Sequence, residues 1–270
     1  MSSRSVYNYL QDYVVTLQSK GIYSFSKKEL VNTFNISDEA LAMSINRLVK
    51  KKRIAIVRKE FYVIIPPEYL ERGILPPILF VDDLMKFLNR DYYVSLLSAA
   101  LYHGGTHQQP QEFYVSTLYP HMKNIRANGI VINFVPKQKL IQSGIEKQKT
   151  DTGFMNISCP ELTAVDLVQH CNKIGGLERA ATLLDEMAEN INPSKLKSIA
   201  EEAGNVSSLQ RLGYIFDKVL HVQKLSEVIK KVVSGKKTTN ILLSSKHPVN
   251  KDEIDPYWKV IINTKIDCEL

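Results

Sequence analysis

The chain has 270 residues, 44% hydrophobic and 23% charged, with a formal net charge of +7; that is apolar sequence for substantial cores and length for two domains. Its three cysteines, Cys159, Cys171 and Cys268, are an odd number without a C-x-x-C pair, which argues against a disulfide framework or a zinc ribbon and for a reducing, cytoplasmic location. No apolar run has the length of a membrane span, and the first residues, with Asp12 inside their apolar part, lack the form of a signal peptide.

The charge is segregated. Residues 1–65 carry 11 Lys or Arg against 5 Asp or Glu, whereas the other 205 carry 24 against 23. A field concentrated in the first quarter points to a polyanionic partner for that segment alone.

In SVYNYLQDYVVTLQSKG (5–21), Val6, Leu10, Tyr13 and Leu17 recur at helical spacing, and Gly21 ends the helix. In YSFSKKELVNTF (23–34), Ser26 and Glu29 match the capping box S-x-x-E, and Leu30, Val31 and Phe34 supply an apolar side. After the turn NIS, Ser37 is a good N-cap and Asp38 and Glu39 suit the positive end of a helix dipole. The third helix, DEALAMSINRLVKK (38–51), has Leu41, Ile45 and Leu48 on one stripe and Glu39, Met43, Asn46, Arg47 and Lys50 opposite. IAIVRKEFYVII (54–65) is β-branched and aromatic around a charged turn, Arg58-Lys59-Glu60, and reads as a hairpin.

Helix, short strand, helix, turn, helix, hairpin is the order of a winged helix-turn-helix. The third helix then has the polar face and basic end of a recognition helix, and the hairpin is the wing. The expected contacts to double-stranded DNA are Ser37, Met43, Asn46, Arg47, Lys50 and Lys51 from the helix, and Arg58 and Lys59 from the wing. The alternative is a winged helix that contacts only proteins, with Lys50–Arg53 a solvated run.

PPEYLERGILPP (66–77) holds four prolines and a glycine and reads as a stiff connector. The expected division is 1–65 winged helix, 66–76 linker, and 77–270 a larger mixed domain. In the last, FVDDLMKFLN and YYVSLLSAALYH (80–103) read as two helices, and EFYVSTL (112–118), GIVINFV (129–135) and GFMNIS (153–158) as strands. PELTAVDLVQHCNK, LERAATLLDEMAE, a segment opened by Asn192-Pro193, and SSLQRLGYIFDKVL read as helices, and DPYWKVIINTKID (255–267) as a strand-like end. The class is α/β or α+β, a small sheet with a helical layer.

Chemistry is sparse. His103 and His107, in YHGGTHQQPQ (102–111), are spaced as helical metal ligands, but Gly104-Gly105 breaks the helix that spacing needs; a glycine-terminated helix end is the plainer reading. SGKK (234–237) lacks the rest of a phosphate loop, and no nucleophile elbow, dinucleotide fingerprint or zinc-protease motif is present. Asp151, Glu161 and Asp166 occur singly, so no acid–base pair is assignable. No cofactor, metal or catalytic residue is expected.

The basic winged helix, YYVSLLSAALYHGGTHQQPQ (92–111), SCPELTAVDLVQHCNKIGGLERAATLL (158–184) and WKVIINTKID (258–267) together resemble the AbiEi-like antitoxins, in the same order over most of the chain. The resemblance implies a bifunctional protein, a repressor of its own operon at promoter inverted repeats. Its C-terminal domain would counteract a nucleotidyltransferase-like toxin, directly or without stable contact. The missing Gly-Ser…D-x-D pattern fits the antitoxin rather than the toxin. Two other classes stay open: a winged-helix transcription factor whose larger domain senses a small ligand, and an enzyme tethered to DNA.

Overall fold

A computed structural model describes residues 3–34, 36–105, 112–203, 205–248 and 253–267. His107 and Cys268 lie outside them, as does the side chain of Val6. The chain opens with α1 (Ser3–Ser19), β1 (Ser24–Ser26), α2 (Lys27–Thr33), α3 (Asp38–Lys50), β2 (Ile54–Arg58) and β3 (Phe61–Ile64). It continues with α4 (Val81–Phe87), β4 (Tyr92–Val94), α5 (Leu96–Ala100), β5 (Glu112–Leu118), β6 (Ile125–Ala127), β7 (Ile130–Lys137), β8 (Ile145–Thr150) and β9 (Gly153–Ser158). The remainder is α6 (Pro160–Gln169), α7 (Leu177–Met187), α8 (Pro193–Ala203), α9 (Val206–Tyr214), α10 (Gln223–Ser234) and three two-residue strands, β10 (Ile241–Leu242), β11 (Ile254–Asp255) and β12 (Val260–Ile261). The class is mixed, as the sequence reading has it. No helix among the described residues is long and apolar enough to cross a membrane.

Contacts divide the chain into two compact units that interleave along the sequence. Unit 1 is Met1–Tyr93, Gln111–Gln138 and Lys147–Asn156; unit 2 is Val94–Pro110, Lys139–Glu146 and Ile157–Leu270.

Unit 1 begins with a three-stranded antiparallel sheet of order β1-β3-β2, in register through Ser24↔Val63 and Ile56↔Tyr62. Its core joins Leu10 and Val14 of α1, Leu30 of α2, Leu41, Ile45 and Leu48 of α3, and Phe25, Ile54 and Ile64 of the sheet. Tyr13 adds edge-on ring contacts to Phe25 and Phe34, centroids 6.1 and 5.5 Å apart. Such aromatic pairs add to the burial of their area. Val31, expected on the apolar side of α2, is instead exposed. The helix has only seven residues, and Leu30 and Phe34 satisfy its inner face.

The proline-rich segment 66–76 is packed rather than extended. Ile74 and Leu75 are buried, and Asn128 donates to the Gly73 carbonyl at 2.8 Å. Beyond it the strand order is β6-β7-β5-β4-β9-β8, with β5 parallel to β7, β6 antiparallel to β7, and β4 parallel to β9. Strands β4, β8 and β9 run on into the residues of unit 2.

Residues 92–103 do not form one helix. Tyr92–Val94 is strand β4, paired with β9 through Val94↔Ile157, and α5 starts only at Leu96, where the backbone turns to φ 51°. All three strand residues are aromatic or β-branched and buried, and sheet pairing overrides the helical spacing. Strands β6 and β8 carry too few apolar residues to read as strands in isolation.

In unit 2 the helices pack around α6, in which every residue from Glu161 to Val168 is buried. The 255–267 tail supplies the last residue of β11 and all of β12, the centre of a small sheet of order β10-β12-β11. Helix α9 passes into a π-turn at Ile215–Val219.

Candidate nucleic-acid interface

Two caps fix the starts of α2 and α3. Ser26 and Glu29 close a reciprocal box: the Glu29 amide donates to Ser26 Oγ at 3.2 Å, and the Ser26 amide to Glu29 Oε2 at 2.6 Å. At the start of α3 the Ala40 amide donates to Ser37 Oγ at 3.3 Å. Lys27 reaches Asp38 at 3.0 Å, bridging the first turns of α2 and α3, and this hydrogen bond holds the Lys27 ammonium above its ordinary pKa.

With Leu41, Ser44, Ile45 and Leu48 buried, the geometry of α3 turns Glu39, Met43, Asn46 and Lys50 outward. Met43 is 52% exposed. Arg47 sits at the edge of this face, half-buried and engaged within the protein. Lys51, Lys52 and Arg53 continue the cationic run into solvent. Ser37 is exposed with its lone pair already given to the cap, which leaves the hydroxyl proton for an anionic acceptor.

In the hairpin, Lys59 and Glu60 make a tight turn with Glu60 at φ 66°, and the Lys27 amide donates to the Glu60 carbonyl at 2.9 Å. Alternation along β2 turns Ile56 and Arg58 outward, and Lys59 is exposed beside them. The sequence reading missed Lys27, Lys28 and Ile56. The signal for Ile56 was the period-two alternation inside IAIVR, masked because the intervening positions are apolar too. Residues 27–60 hold nine Lys or Arg and four Asp or Glu, so the exposed ends of α3 and the hairpin form a cationic surface with one polar amide, Asn46, and two apolar groups, Met43 and Ile56.

The glycine-rich loop does structural work as far as it is described. His103 Nε2 donates to the Ser158 carbonyl at 2.6 Å, and Asn190 donates to the His103 carbonyl at 2.9 Å. Gly104, at φ 84°, turns the chain out of the helix. Burial holds the His103 imidazole below its usual pKa. His107 lies outside the described residues, among which no group of three or more His, Cys, Asp or Glu is placed to hold a metal.

The two described cysteines of unit 2 are not activated thiols. Burial pushes the Cys159 thiol up to about 12 and raises that of Cys171. Both stay protonated at neutral pH, and the thiolate is the reactive form. Glu161 is 2% exposed and its Oε1 takes the Asn192 amide at 2.7 Å at the start of α8, a positioning role.

Residues 93–218 match the family model of the AbiEi antitoxin C-terminal domain. No curated protein matches the chain. A crystal structure of the RV2827C protein from Mycobacterium tuberculosis is similar in fold, with a TM-score of 0.64 at 15% identity, over 94% of this chain and 91% of that one.

Proposed function

We propose that this chain, whose residues 93–218 match the AbiEi antitoxin C-terminal domain, neutralises a nucleotidyltransferase-like toxin and represses the operon encoding both. The antitoxin half rests on the family. The repressor half rests on one observation, the outward face of α3 with Asn46 and Met43 over a buried stripe, beside the cationic run Lys50–Arg53 and a hairpin tipped by Arg58 and Lys59. We read these elements as a winged helix-turn-helix with α3 in the major groove, Asn46 and Arg47 toward base edges, and Ser37, Lys50, Lys51, Arg58 and Lys59 toward phosphate. Exposed Met43 suits apolar contact with a thymine methyl.

The test is binding of the full chain to duplex DNA from upstream of its own gene, beside a scrambled duplex of equal length. We expect preference for the promoter duplex and a steep loss of affinity with salt. Equal binding to both duplexes, or none to either, removes the repressor half and leaves the antitoxin half standing.

A further inference from the structure

Unit 1 contains a cavity of about 460 Å³ between the start of α4 and the β8–β9 hairpin, and no role proposed above uses it. Its wall carries charges of both signs. Asp82 is fully engaged, taking a hydrogen bond from Tyr92 OH at 2.9 Å and the Lys86 ammonium at 2.6 Å. Asp83 is not: Ser24 Oγ donates to its Oδ2 at 2.7 Å, and its Oδ1 receives no donor among the described residues. Lys147, on β8, has no ion-pair or hydrogen-bond partner among the described residues, and the side-chain amide of Asn156 has none either. The ring of Phe154, also on the wall, is 58% exposed.

A half-open carboxylate, an unpaired ammonium, an unpaired amide and an exposed aromatic ring around one concavity make the usual composition of a small-molecule site, convergent polar groups against an apolar surface. We propose that this cavity binds a small zwitterion of the amino-acid class. The ligand's ammonium meets Asp83 Oδ1, its carboxylate meets Lys147 and the Asn156 amide, and its side chain lies on Phe154. A simple cation or a simple anion satisfies only half of the wall and leaves the other charge unpaired.

The site is tied to the proposed DNA-binding element. Asp83 holds Ser24, and Ser24 pairs in register with Val63 of the hairpin strand β3. A ligand that draws on Asp83 therefore acts on the partner of Ser24 in β1, and through that hydrogen bond its binding is coupled to that of DNA.

The experiment is a thermal melt of the full chain with each common amino acid at millimolar concentration, with ethanolamine and acetate as singly charged controls. At least one amino acid is expected to raise the melting temperature by about 4 °C at ten times its Kd, because the folded form then gains roughly tenfold over the unfolded. Asp83→Asn still accepts from Ser24 and Lys147→Met keeps its aliphatic stem, so both variants should fold, as far-UV circular dichroism would show, and both should lose the shift. Ser24→Ala should keep the shift and lose any effect of the amino acid on promoter affinity. No shift with any amino acid, an equal shift with ethanolamine or acetate, or a shift retained in both folded variants overturns the proposal. The melt requires no DNA, so failure of the repressor reading leaves this result intact and readable.

Discussion

Gly213 has no room for a methyl group. A Cβ there falls 2.0 Å from Cζ3 and 2.2 Å from Cη2 of Trp258. The indole cannot move aside: its Nε1 donates to Asp217 at 2.9 Å, its amide to Asp255 at 2.7 Å, and its carbonyl takes Gln210 at 2.7 Å. Gly213→Ala should cost at least about 1–3 kcal/mol in denaturant unfolding, and adding Trp258→Leu should return part of it. A variant as stable as the parent would show that the indole yields to the added methyl group. Nothing near Gly213 in the sequence signals this, since its partner lies 45 positions on; the residue reads as a weak point in a helix. His103 was more legible. The adjacent glycines marked a helix end, and the structure fills in its bond to Ser158. Its pKa is lowered in the folded state, chiefly by burial, so the folded chain binds fewer protons than the unfolded one on acidification. Stability is therefore unaffected above the unfolded value of about 6.5, and is lost as pH falls through it until the folded pKa is passed. His103→Gln should flatten that loss below about pH 6.5 in urea melts; an unchanged slope would exclude His103 as its source.

At the scale of elements, the first 65 residues were readable because their signals are local. Ser26 and Glu29 stand three apart and make the box, Ser37 caps, and a four-three spacing buries Leu41, Ile45 and Leu48. Ser26→Ala should cost about 1 kcal/mol in denaturant unfolding and fray the start of α2. Strands β4, β6 and β8 were not readable: β4 has three residues and its partner β9 lies far along the chain, whereas β6 (Ile-Arg-Ala) and β8 (IEKQKT) pair with near neighbours but carry too few apolar residues to show a strand pattern. The helix and the hairpin should also differ in what they contribute to DNA binding. Asn46→Ala, at an exposed position with no core role, should erase preference for the promoter duplex over scrambled DNA by roughly 1–3 kcal/mol. Arg47 is a less clean probe, since it is half-buried and engaged within the protein. If one chain neutralises about five phosphates, the log–log salt slope should lie near −4.5. Lys59→Ala should weaken both duplexes alike and flatten the slope by about one unit. A Lys59→Ala variant that changes preference, beside an Asn46→Ala variant that does not, would reverse these assignments.

For the whole molecule, charge segregation and a proline-rich segment suggested a cut near residue 76, yet contacts gather Met1–Tyr93 with two later stretches into one unit. Prolines mark where regular structure stops, and burial decides whether the chain there is free. Here Ile74 and Leu75 are buried, Phe61 meets Phe87 with ring centroids 5.2 Å apart, and Ser24 holds Asp83. A fragment starting at residue 77 would lose each of these partners and leave their other halves exposed, so failure of that fragment to protect cells would speak of folding rather than function. The proposed division of labour is better tested by surface substitution in the full chain. Arg58 and Lys59 are exposed at the hairpin tip and carry no core packing, so replacing both with Ala should leave stability within about 0.5 kcal/mol. It should also remove about two phosphate contacts, lowering promoter affinity by a factor that grows as salt falls. The double variant should therefore derepress a reporter driven by the operon's promoter. Toxin neutralisation, proposed above for the region at 93–218 that matches the AbiEi antitoxin C-terminal domain, should persist at matched expression, read as growth with the toxin induced. If a stable Arg58→Ala/Lys59→Ala protein loses protection together with repression, the two activities share a surface and their separation in this chain is wrong.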